Sequence, residues 1–170
     1  MAEQDGGGGC LAARAAAATL GRACQDHTAG RAGQGERHEE ERLGLYLNSV
    51  GGLAGDLGLE IAALSEGVEA GAPGAASGVS AGAALVSAAL RAADLATLAA
   101  CALPELPRET PAYFQVAAAA RLASAATQAL ALEHRALTRP GDYEARDLRG
   151  AEWRAGLAAR QVDGMLQEDS

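Results

Sequence analysis

The row Leu43, Leu47, Val50, Ala54, Leu57, Ile61, Leu64 and Val68 constrains the fold of this chain more than any other feature. Its steps alternate four and three, so the side chains recur every three and a half residues and line one stripe of a helix. An apolar stripe with that period faces a partner helix along its length. Beside it runs a row of small residues: Gly44, Asn48, Gly51, Gly55, Gly58, Ala62 and Ser65. A glycine inside a helix costs about 0.5–1 kcal/mol relative to alanine, so this row needs another backbone in close approach to justify it. Leu43, Leu47, Val50, Gly51, Gly55, Leu57, Gly58, Ile61 and Leu64 are therefore the expected helix-packing or interface residues.

Composition decides what the partner helices are made of. Alanine fills about a quarter of the 170 residues, and there is one Phe and one Ile, so strand-forming side chains are scarce. The core has to come from Leu and Ala on closely spaced helices. Burying a leucine contributes about 1.5–3 kcal/mol and an alanine far less, so stability is expected to be modest or supplemented by an oligomer partner. Lysine is absent and Asn occurs once, which points to a GC-rich coding sequence and accounts for much of the alanine and glycine as well.

The formal net charge of −8 disfavours nonspecific nucleic-acid binding, which needs neutralised phosphates. The densest arginine region, Arg135, Arg139, Arg146, Arg149, Arg154 and Arg160, alternates with Glu133, Asp142, Glu144, Asp147 and Glu152. That is a mixed, self-paired helix face rather than a basic patch. The stretch from Val79 to Leu103 is the most apolar, but Arg91 and Asp94 lie near its middle, so membrane insertion is not expected. Met1 to Gly9 is acidic and glycine-rich, unlike a secretory signal. A soluble, intracellular (cytoplasmic) protein is the expectation, with its three cysteines free.

Residues 1–9 read as a flexible glycine-rich tail and 10–168 as one helical-bundle domain. The first helix is expected over Leu11 to His27, followed by a loop to Gly35. The charged run from Glu36 to Arg42 opens the long seam helix, which Gly71, Pro73 and Gly74 end. A third helix spans about Ala75 to Leu103, with Val79, Ala83, Val86, Leu90 and Ala93 in line. The fourth spans Pro111 to Leu137, with Thr110 as N-cap and Pro111 at the first helical position. Phe114, Ala118, Leu122, Ala125, Ala129 and Leu132 form its expected core face. The last helix, Tyr143 to Leu166, offers Leu148, Ala155, Ala158, Val162 and Met165, with Trp153 to one side. Helices of this length on short connections pack as antiparallel neighbours, so the fold class is an all-α antiparallel bundle of four to five helices.

Few constellations suggest chemistry. Cys24 and His27, then His38 and Glu41, repeat a three-residue spacing that zinc ligands use. A charged helix start for His38 and Glu41 and a packed thiol for Cys24 explain them better, and no metal or other cofactor is expected. Cys101 lies in an alanine run and is expected to be buried and inert, and His134 to lie at the surface. Asp56 and Asp94 are candidate buried carboxylates; the alternatives are exposure for Asp56 and a pair with Arg91 for Asp94. Tyr113, Phe114, Tyr143 and Trp153 hold most of the aromatic surface; they are expected in the core, the alternative being a ligand or partner site. Gly6, Gly7, Gly8 and Gly9 stand directly before a helix, where backbone N–H groups can hold an anion.

Two segments carry a family resemblance. GGGGCLAARAAAATL, Gly6 to Leu20, resembles the Gly-rich turn and alanine-rich helix of the cyclodeaminase/cyclohydrolase family. Leu53 to Leu106, with AASGVSAGAALVSAALRAA at Ala75 to Ala93, resembles that family's serine-aspartate-led helix and the proline-containing turn after it. The resemblance implies a dimer of helical bundles with folate in a cleft beside the glycine turn. Gly78 stands where the family has an aspartate, so only Gly6 to Gly9 correspond and no catalytic residue carries over. The residues themselves point first to an assembly or protein-interaction module. Its expected partner is a second copy, in a homodimer through the seam helix, or another helical protein. A folate-binding protein is the alternative.

Overall fold

A computed structural model describes residues 15, 18, 19, 22, 45–59, 78–137 and 142–167. Among them are four long helical stretches and no strand: α1 over 45–59, α2 over Gly78–Ala102, α3 over Pro111–Leu137 and α4 over Asp142–Gln167. The protein is an all-α bundle, as the periodicity predicts. The tail at 1–9, the zinc-like spacing from Cys24 to Glu41, and Leu43, Ile61, Leu64 and Val68 of the seam lie outside the described residues.

The connection between α2 and α3 is fixed by its prolines. A 3-10 turn, Leu103–Glu105, carries Pro104, and the Leu106 N–H donates to the Leu103 carbonyl at 3.2 Å. Thr110 then caps α3: its hydroxyl oxygen accepts from the Tyr113 N–H at 3.4 Å while donating to the Pro107 carbonyl at 2.7 Å. The expected N-cap and the bounds of α3 are both observed.

α2 is the central helix, packed against α3 and α4. Its buried residues are mostly alanine (Ala88, Ala89, Ala92, Ala93, Ala96, Ala99 and Ala100), and those of α3 include Ala117, Ala119, Ala120, Ala123 and Ala126. Small side chains on both surfaces bring the helix axes close. Leu47, Val50, Leu57, Leu95, Leu103, Val116, Leu130 and Leu148 fill the wider space around this contact. On α4 the expected inward residues are found: Leu148, Ala155, Ala158 and Val162 are buried and Met165 packs against the core.

Side chains fix the register of the outer helices. Arg121 meets Asp163 at 3.0 Å and Arg135 meets Glu152, so α3 and α4 run antiparallel. Between these pairs the buried Ser124 hydroxyl donates to the Ala155 carbonyl at 2.9 Å. Tyr46 ties α1 to α2 by donating its phenol to the Leu98 carbonyl at 2.8 Å.

Candidate functional site

The described part of the seam belongs to the chain's own core. Leu47, Val50, Ala54 and Leu57 are each at most 1% exposed. The heptad row therefore docks α1 onto this bundle, and its apolar edge is occupied here. The small row runs along the margin of that contact: Asn48 and Gly55 are exposed, Gly51 and Gly58 half-buried. A methyl group added at Gly55, or at Gly52, would meet nothing within 4 Å. Among the described residues, no neighbouring backbone requires those two glycines.

Several expectations about individual residues are corrected. Cys101 is exposed, because it falls on the outer side of α2 among otherwise buried alanines. His134 is fully buried near the end of α3, with its Nε2 3.6 Å from an oxygen of Glu144 at the start of α4. Asp56 is exposed, as its alternative reading has it, and Asp94 is exposed too, so neither is a buried acid. Asp94 accepts from Arg154 of α4 at 3.2 Å, a bond between elements that local spacing does not reveal. Of the aromatic residues on α3 and α4, only Tyr113 lies in the core; Phe114 packs edge-on against its ring at 5.5 Å while facing outward.

The largest correction concerns α3. The face expected to be buried, from Phe114 to Leu132, points away from the core: Phe114, Ala118, Ala125 and Leu132 are exposed, while Leu122 and Ala129 lie at its margin. The opposite arc, carrying Tyr113, Val116, Ala120, Ala123, Thr127 and Leu130, is buried. α3 carries alanine on every side, and among the described residues its outward row is exposed. On α4 the outward side carries Trp153 and Leu157, one helical turn apart. Arg135 pairs with Glu152, which sets Trp153 at the Leu132 end of the α3 row.

A groove of about 360 Å³ opens between α1, α2 and α4, lined by Leu53, Leu95, Leu98 and Thr97 with Arg91, Asp94 and Arg154. Its Asp94 and Arg154 are paired with each other, and the Thr97 hydroxyl donates to its own helix at the Ala93 carbonyl. Among its described lining residues, no nucleophile stands beside a base. Among the described residues, no three His, Cys, Asp or Glu side chains gather as metal ligands. One described segment, Gly82–Glu105, is long and apolar enough by length and composition to cross a membrane, and 56% of that window is buried inside the bundle. Gly6 to Gly9 lie outside the described residues.

No family model, curated protein or solved structure matches this chain.

Proposed function

We propose that this protein is a helical-bundle interaction module whose partner is a second copy of itself. The observation that carries this reading is the set of large apolar side chains left on the outer faces of α3 and α4, with Phe114, Leu132, Trp153 and Leu157 between 45% and 64% exposed. Single exposed leucines are ordinary on a monomer, whereas Trp and Phe are side-chain types enriched at interfaces, and both are exposed on these two helices. The alanine core buries little apolar area per residue, so stabilisation from covering these faces would be a larger share of the total.

Sedimentation equilibrium tests the reading. The expected result is a species of twice the 17.0 kDa chain mass that dissociates on dilution. A monomer at every accessible concentration overturns self-association.

A further inference from the structure

We infer that the outward arc of α4 docks a short acidic segment of another protein. Arg146, Arg149 and Arg160 meet its carboxylates, and Trp153 and Leu157 meet its apolar side chains. This goes beyond the self-association proposed above and does not rest on it, since it makes no use of Phe114 and Leu132 of α3. The arc follows from helix geometry: at 3.6 residues per turn, its five side chains fall within about 80° of one another around α4. All five are exposed, opposite the buried stripe of Leu148, Ala155 and Val162.

In the sequence these arginines alternate with acids; the fold separates the two. Glu144, Glu152 and Asp163 turn toward α3, where they meet His134, Arg135 and Arg121. Asp147 falls about a third of a turn from the centre of the arc, and Asp142 is in register with it but stands one turn before Arg146. Arg154, on the flank beside α2, meets Asp94. Arg146, Arg149 and Arg160 form no ion pair among the described residues. The Arg160 guanidinium lies over Gly156, with one terminal nitrogen 3.7 Å from where a β-carbon there would stand, so its charge reaches back toward Trp153.

Unpaired arginines around an exposed tryptophan select the partner. Trp and Arg are the side chains that most often anchor interfaces, and the planar guanidinium fork fits a carboxylate through two parallel hydrogen bonds. An acidic segment laid from Arg146 to Arg160, about 21 Å along the helix axis, neutralises all three charges and covers the indole and leucine between them. The chain's net charge of −8 repels any anion, and a larger polyanion more strongly. A nucleic acid or an anionic bilayer presents far more charge than three arginines offset. A short acidic segment presents only what the arc can pair.

Trp153 is the only tryptophan in the chain, so its fluorescence reports the contact. The probe is a tryptophan-free peptide of glutamates spaced by leucines, and its control carries glutamine in place of glutamate. A saturable change in emission is expected with the glutamate peptide and none with the glutamine peptide. Arg146→Gln, Arg149→Gln and Arg160→Gln are each expected to weaken binding about 3- to 5-fold, as the loss of an exposed ion pair does. Arg121→Gln removes the same charge from α3 and is expected to leave binding unchanged; circular dichroism checks that every variant keeps its helix content. No binding at about 1 mM peptide, equal binding of the two peptides, or equal weakening by Arg121→Gln overturns the inference. Binding of oligothymidylate or of phosphatidylserine vesicles in place of the peptide overturns it as well and gives the arc to a different polyanion. Self-association is read from mass and this contact from peptide titration, so the failure of one is distinct from the failure of the other.

Discussion

Tyr113 is 2% exposed, and its hydroxyl is buried with no hydrogen-bond partner among the described residues. A buried polar group left unsatisfied costs about 1–3 kcal/mol, whereas an apolar replacement of the same shape avoids the penalty. Tyr113→Phe keeps the ring against Phe114 and is expected to stabilise the fold by about 1 kcal/mol, read as a higher urea midpoint; a lower midpoint would show that the phenol is satisfied. Tyr46 is the opposite case, since its phenol donates to the Leu98 carbonyl. Burial pushes its pKa above the ordinary 10.0, and the nearby Cys101 adds in the same direction. Below about pH 10 the phenol is protonated in both folded and unfolded chains, so its contribution is fully present. As pH rises further the unfolded chain loses its proton first, and the contribution declines until the folded phenol ionises too. Stability above pH 10 is therefore expected to fall more steeply in the wild type than in Tyr46→Phe, and equal slopes would refute the shift.

At the scale of elements, α1 shows what a heptad row specifies and what it leaves open. Leu47, Val50, Ala54 and Leu57 were legible as a packing stripe because their spacing has one geometric meaning on a helix. Whether the stripe meets its own chain or a second copy depends on what the other helices offer. Gly55 stands beside it with open space around the position of a side chain. In a monomer, Gly55→Ala is expected to raise stability by about 0.5–1 kcal/mol through helix propensity alone. Thermal melts at a concentration where the protein is monomeric check this, and a loss of stability would mean that another backbone lies against the glycine. On α3 the bounds and the cap were legible, because Thr110, Pro111 and the run to Leu137 mark a helix by local chemistry. The inward arc was not. With alanine on every side, the position of Phe114 and Leu132 suggested a core face. The buried contact with α2 instead favours the arc whose alanines allow close approach.

For the whole molecule, stability rests on alanine-rich apolar packing, with ion pairs between the helices at its surface. Arg121–Asp163, Arg135–Glu152 and Arg154–Asp94 all have partly exposed side chains, and such pairs contribute about 0–1 kcal/mol each. Salt also relieves the repulsion within a chain of net charge −8. These effects oppose one another, so Tm in 1 M NaCl is expected to stay within roughly 5 °C of its value at 0.1 M. A larger fall, measured by calorimetry, would mean that the pairs hold the helices together. The sequence by itself determined the helical class, the bounds of α3 and the inward residues of α4, because these follow from propensity, capping and a stripe of leucine and valine against polar neighbours. Only the tertiary structure decided that the described seam is buried within the chain, that His134 lies inside and Cys101 outside, and that the Phe114–Leu132 row is uncovered. Where alanine occupies every side of a helix, side-chain chemistry does not distinguish inside from outside. The choice passes to which surfaces approach most closely, and that is a property of helix pairs.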